Sequence, residues 1–300
     1  MTSVNIYNNL LAQFNRTFRH NRQGSFKTRE RYQKAMKRFC RFLSEVYRLE
    51  KLANIAPKHI HAYTEYMQSK GLSASTIKTD LAAIRFWHDQ IPNPRHNLPA
   101  NNRLSLERRA FGKVDRAWTS VEFNKMIGVC WHHKREDYVA IICLGYYAGL
   151  RIHECFRIGT SIAMDAIQKM AITVKGKGGK IRTVPINESI RIELAKMLEI
   201  TPLGHKLFIS DGINTHTAIN QLQQFIRRHK SEVQPPNCNK PMTFHGLRHA
   251  YALEQYKGLI RSGDTEVEAR LKVSKLLGHE RADVTKIYLA GLKGGDNSVR

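Results

Sequence analysis

Through residues 6–91 the apolar side chains recur every three or four positions, the spacing that gives a helix one apolar face. This periodicity is the tightest constraint on the fold, because sheet there would need apolar and polar residues to alternate. Leu10, Leu11, Phe14 and Phe18 mark a first helix over 6–19. Tyr32, Met36, Phe39, Phe42, Leu43 and Val46 mark a second, from after Thr28 to about Tyr47. Pro57 suits a first helical turn and opens a third helix that ends before Gly71. A fourth starts after Ser73 or Ser75, carries Ile77, Leu81, Ile84 and Trp87, and stops at Ile91-Pro-Asn-Pro94. Four such helices predict a small bundle.

The pattern then changes. Residues 101–116 are polar and basic with little apolar period and read as a linker, after which Thr119-Ser-Val-Glu122 has the form of a capping box. Helices are predicted over 119–131 and 135–148. Residues 169–175 and 180–186 are short β-rich runs joined by Gly176-Lys-Gly-Gly179, which reads as a hairpin. Helical spacing resumes over 188–198, 216–230, 243–257, 265–277 and 283–289. The expected fold is mainly α with a small antiparallel β-sheet: a helical domain over 1–100, a linker over 101–116 and a mixed α+β domain over 117–300. Three hundred residues with 42% hydrophobic content suffice for two cores.

A formal net charge of +24 exceeds what solubility requires and points to a polyanionic partner, nucleic acid ahead of an anionic membrane surface. The excess is densest in front, where residues 1–116 hold 22 Lys and Arg against 8 Asp and Glu. Arg29, Arg31, Lys34, Lys37, Arg38 and Arg41 cluster on and around one helix, as contact with a phosphate backbone would require. An ordinary solvated face would intersperse acids, which are sparse here. The longest apolar runs, such as 138–147, are too short to span a bilayer, and the polar start lacks the regions of a signal peptide. An intracellular, soluble protein is expected. Its five cysteines are odd in number and scattered, which fits reduced thiols. Cys130 beside His132 and His133 lacks further ligands at zinc spacing, so a packed cysteine next to surface histidines is the better reading and no metal site is expected.

The second domain offers Arg151, Lys177, His245, Arg248, His279 and Tyr288 for handling a phosphodiester. If Thr243 caps a helix, His245 and Arg248 share one face. Two arginines can fork onto non-bridging oxygens and neutralise the charge that grows at phosphorus. A histidine can accept the proton of a nucleophile, and a lysine can donate one to a leaving alkoxide. A tyrosine nucleophile splits one transesterification into two and conserves the bond energy. Singly, each residue has a bland explanation. Arg151 three before Glu154 suggests a helix-surface pair, and a lysine among glycines suggests a solvated turn. A lone histidine is more often structural, and Tyr288 alone would be a half-buried aromatic. Tyr251 and Tyr256 rival Tyr288, although Tyr251 follows Arg248 by three residues on the same helix and has little freedom to move.

In combination and in this order the residues resemble the tyrosine recombinase, or phage integrase, family. Gly149-Leu-Arg-Ile-His-Glu154 resembles its first arginine box, with Arg151 as the first catalytic arginine and Glu154 as the supporting acid. Gly176-Lys-Gly-Gly-Lys-Ile-Arg-Thr-Val-Pro185 resembles the hairpin of the catalytic lysine, which maps to Lys177, with Lys175 and Lys180 as flanking alternatives. His245-Gly-Leu-Arg248 is similar to the His-x-x-Arg box, Leu276-Leu-Gly-His279 to the box ending in the second histidine, and Tyr288 falls at the nucleophile. Ala148 and Cys155 stand where threonine and leucine are more usual. The front domain matches the family's core-binding domain in size, charge and helix pattern.

The resemblance implies a site-specific recombinase of the two-domain Xer-like kind. It would cut and rejoin double-stranded DNA through a 3′-phosphotyrosine and a Holliday junction, as a homotetramer on two DNA sites, with no cofactor and no metal. It further implies a bacterial, phage or mobile-element origin, a cytoplasmic place on the nucleoid, and accessory DNA-bending proteins as partners. Two other readings stand beside it. A monomeric topoisomerase with the same chemistry would relax supercoils without recombinant products, and a non-catalytic DNA-binding relative would form no covalent adduct.

Overall fold

A computed structural model describes the chain except residues 1, 22, 25, 108–114, 177–178, 279–287 and 290–300. It divides into two compact units, Met1–Ala110 and Phe111–Arg300. The first holds the four expected helices, α1 (Ser3–His20), α2 (Phe26–Phe42), α3 (Pro57–Ser69) and α4 (Ala74–His88). Their starts follow the local chemistry. Thr2 and Ser73 accept the backbone N–H of Asn5 and Thr76, and Pro57 opens α3. The core draws Leu10 and Phe14 from α1, Met36 and Phe39 from α2, Tyr63 from α3, and Leu81 and Trp87 from α4. Trp87 meets Phe14 edge-on at 5.3 Å. The second helix was expected to run unbroken to Tyr47, but its last turn, Leu43–Tyr47, widens to π geometry and ends at Arg48, whose φ of 48 is left-handed.

The second unit opens with α5 (Ser120–His132), where Thr119 and Glu122 close the predicted reciprocal cap. The next helix, α6 (Glu136–Tyr147), is buried at every residue from Tyr138 to Gly145 and forms the core's axis. After it come α7 (Ile152–Cys155) and α8 (Thr160–Lys169). The latter was not expected, since the sequence reading assigned no element between 148 and 169. Thr160 and Ile162 look β-prone, but Ala163 and Ala166 fall on one face and bury. Strands β1 (Ala171–Lys175) and β2 (Ile181–Pro185) then pair antiparallel, with Val174 opposite Arg182 and Ile172 opposite Val184. Lys169 and Met170 stand outside the strand predicted to contain them.

Helices α9 (Glu188–Ile200), α10 (Thr215–Arg228), α11 (Lys230–Val233), α12 (Phe244–Arg261) and α13 (Glu266–Leu276) complete the described elements. α12 packs on α6 at Gly145, where an added Cβ would lie 2.9 Å from Leu247 and Phe244 side-chain atoms. Most of the helix expected over 283–289 lies outside the described residues.

Candidate active site

The site starts at the turn after α6. Gly149 has φ +60, and a Cβ there would come within 2.3 Å of the Tyr251 ring. Only glycine meets both demands, the left-handed backbone and the missing side chain. The turn delivers Arg151 to the start of α7, where its backbone N–H and its Nη1 both donate to Glu154, at 2.8 and 2.9 Å. Glu154 is therefore no helix-surface partner. Its side chain is 0% exposed, and a second arginine, Arg182 from β2, forks onto both of its oxygens at 2.8 and 2.7 Å. Burial alone would raise the Glu154 carboxyl, but Arg182 and the Arg151 backbone and side chain hold it down at about 2.

Arg248 is the hub. It is fully buried on α12 and donates to the carbonyls of Gly149 and Leu277, joining the turn before Arg151 to the end of α13. Its guanidinium lies 5.8 Å from the centre of the Tyr288 ring and hydrogen bonds with the Tyr288 side chain. Burial, then repulsion from Arg151, lowers its pKa to about 10, so it remains a cation at neutral pH. The predicted cap at Thr243 takes a different form. Its side chain makes no capping bond, and its carbonyl instead accepts Trp118 Nε1 at 3.0 Å.

His245 and His249 follow one another by a helical turn, with ring centres 5.1 Å apart and 5.5 and 4.5 Å from the Tyr288 ring. His249 is buried and hydrogen bonds with the Tyr288 backbone, whereas His245 is exposed. Dehydration against these neighbours, then the charges of Arg248, Arg151 and Arg116, pushes the His245 imidazole down to about 4. Burial, then His245 and Arg116, does the same to His249. Both rings are neutral at pH 7, and a neutral ring can accept a proton.

Of the predicted site residues, Arg151, Glu154, His245, Arg248 and Tyr288 are brought together, while Lys177 and His279 lie outside the described residues. Lys175 and Lys180 are exposed at the two ends of the hairpin turn. Tyr251, Tyr256 and Tyr288 are all buried in one cluster; Tyr251 packs over Gly149, and Tyr288 is set apart by the His245 and His249 rings and the Arg248 guanidinium against its own ring. Two neighbours were missed by sequence reasoning. His249 looked like one more helix residue, and Arg182 was passed over although strand alternation gave the signal: Val184 faces the core, so Arg182 must face inward too. In the first unit, Lys27, Arg31, Lys34, Arg38 and Arg41 recur at helical spacing and are exposed on α2, and Arg29 falls off that stripe. Lys34 bonds Glu30 at 2.7 Å, Arg38 bonds Asp80 at 2.5 Å, and Arg41 lies over the Tyr7 ring.

Residues 119–293 match the Phage integrase family, and residues 11–90 match the Phage integrase, N-terminal SAM-like domain. The chain is similar to a tyrosine recombinase of Thermosipho africanus, 24% identical over 292 residues that cover 93% of this chain and 94% of that protein. It is also similar to tyrosine recombinase XerC of Caldanaerobacter subterraneus subsp. tengcongensis, 25% identical over 237 residues, 76% of this chain and 63% of that one. Among solved structures it resembles a lambda integrase dimer bound to a COC′ core site, with a TM-score of 0.67 at 17% identity, covering 93% of this chain and 76% of that one. At that identity the likeness speaks for the fold alone.

Proposed function

The chain belongs to the phage integrase family, and from that premise we propose that it is a site-specific DNA recombinase that cleaves and rejoins strands through Tyr288. The observation that carries the reading is the meeting of Arg248 with Tyr288, beside Arg151 and a neutral His245. Two guanidiniums suit the non-bridging oxygens of a scissile phosphate and the extra charge of a pentacoordinate state. His245, held below the usual imidazole range, takes the phenolic proton as the Tyr288 oxygen attacks phosphorus. The bond from phosphorus to the 5′-oxygen breaks, leaving a 3′-phosphotyrosyl link and a 5′-hydroxyl. Lys177 protonates the departing 5′-oxygen and His279 hydrogen bonds a phosphate oxygen. Glu154 supports Arg151. The reverse attack by a new 5′-hydroxyl reseals the strand, so the step needs no high-energy cofactor.

In this reading the front helices, over 1–100, form a core-type DNA-binding domain, with Arg31, Lys37, Arg38 and their neighbours facing the backbone, 101–116 as linker and 117–300 as catalytic domain. Double-stranded DNA is the partner, and exchange between two sites calls for a tetramer. The test is covalent trapping on a nicked duplex taken from the DNA flanking the coding sequence. The unmodified protein is expected to form a phosphotyrosyl adduct, while Tyr288→Phe forms none and still binds DNA within about threefold, since the substitution removes the nucleophile and little contact. Adducts that persist in Tyr288→Phe would dismiss Tyr288 as nucleophile. Relaxed supercoils without recombinants would mark a topoisomerase instead.

A further inference from the structure

Arg182 belongs to no part of the reaction described so far, yet it is tied closely to one. It stands on β2, in the hairpin that carries Lys177, with its side chain only 11% exposed and its Nε buried without a partner among the described residues. Its two terminal nitrogens take one Glu154 oxygen each. Gly278 leaves it room, for a Cβ there would lie 3.0 Å from Arg182 Cδ.

We propose that Arg182 is a positioning residue, which by occupying Glu154 holds Arg151 open toward the scissile phosphate and locks the hairpin to the Arg151 turn. The role rests on the recombinase reading above. Glu154 has two oxygens and two arginines around it. Because Arg182 forks across both, Arg151 spends one terminal nitrogen and its backbone N–H on the carboxylate and keeps the rest of its fork for an outside anion. Remove Arg182, and the buried carboxylate has one cation left; the favourable response is for Arg151 to close bidentate onto Glu154 and turn from the phosphate. Arg182 thus acts through Arg151, and its loss reads out as a loss of charge neutralisation at phosphorus.

A substrate of altered charge separates this role from a merely structural one. On the nicked duplex, Arg182→Met is expected to slow adduct formation about 100-fold, the scale of one lost transition-state contact, with DNA affinity within about threefold. On the same duplex with a methylphosphonate at the scissile position, which is neutral and needs less help from Arg151, Arg182→Met should run within about threefold of the unmodified protein. Equal losses on both substrates, or no loss on either, overturn the proposal. Should Arg182→Met fail to fold by thermal melting, Arg182→Lys serves: it keeps the charge but not the fork, and is expected to lose about tenfold on the phosphodiester and nothing on the methylphosphonate. An unmodified protein that forms no adduct on either duplex would instead overturn the recombinase reading itself.

Discussion

Asp80 in the front unit and Glu154 in the second are both buried carboxylates bonded to arginine, and they are satisfied to different degrees. Asp80 accepts one bond, from Arg38 of α2, whose side chain is half open to solvent, and its Oδ1 is buried with no hydrogen-bond partner among the described residues. Glu154 accepts four bonds from two arginines that are mostly enclosed. A carboxylate that ties two helices needs only one partner, and the bundle tolerates the remaining oxygen at some cost. A carboxylate that must orient a catalytic group has to be saturated, because each free lone pair is another geometry the arginine could adopt. Saturation therefore sets Glu154 apart from Asp80, as the role proposed for it beside Arg151 requires.

The sharpest way to break the comparison is Glu154→Gln. With its oxygen in the place of Oε1 the amide still accepts from both guanidiniums, but its NH2 then faces the Arg151 N–H and Arg182 Nη2, so two of the four bonds and the negative charge that anchors both arginines are lost. Adduct formation on the nicked duplex is expected to fall about 10²–10³-fold, the largest effect among these variants. The same substitution removes a pH dependence. The Glu154 carboxyl is depressed from an ordinary value near 4.5 to about 2, so its contribution to stability is complete above pH 4.5 and is lost as the pH falls through 2. Acid unfolding of Glu154→Gln should be flatter across that window. If its acid limb is unchanged, the ion cluster does not stabilise the fold as described.

Asp80→Asn tests the other side. One charge-assisted bond goes, and unfolding by denaturant is expected to register a loss of about 1–3 kcal/mol. The rate of adduct formation from bound DNA should be unchanged, since Asp80 orients no reacting group. A slowing comparable to that of Glu154→Gln would collapse the distinction between the two carboxylates.

The same contrast explains what was legible beforehand. Helical periodicity exposed α1 to α4 and the apolar run of α6, because a face packed against a core repeats in sequence. Arg151, His245, Arg248 and Tyr288 stood out because chemistry restricts their residue types and order. Glu154 was expected to support Arg151, but its saturation by Arg182 was not foreseen, because that is a long-range fact, 28 residues distant along the chain. The α8 helix, whose buried residues are Thr160, Ala163 and Ala166, carried too weak an apolar period to be assigned. Thr243 sat in a capping position, but its side chain stays out of the cap while its carbonyl is taken by Trp118, 125 residues away. Local rules found the elements, and the contacts between distant segments set how each residue was used.

Within the basic face of α2 the comparison narrows to single residues and to the smallest expected effect. Arg31 and Arg38 are exposed on the same stripe, but Arg38 also holds Asp80. Arg38→Ala should weaken DNA binding and unsettle the bundle together, because it leaves a buried carboxylate without its cation. Arg31→Ala should touch binding alone. The plot of log affinity against log salt is expected to lose about one unit of slope, one phosphate neutralised fewer, with the thermal midpoint unmoved. Affinities from 50 to 200 mM salt on a random-sequence duplex suffice, since a phosphate contact carries no sequence information. An unchanged slope in Arg31→Ala would show that this stripe faces solvent in the complex and that the DNA lies against some other surface of the front unit.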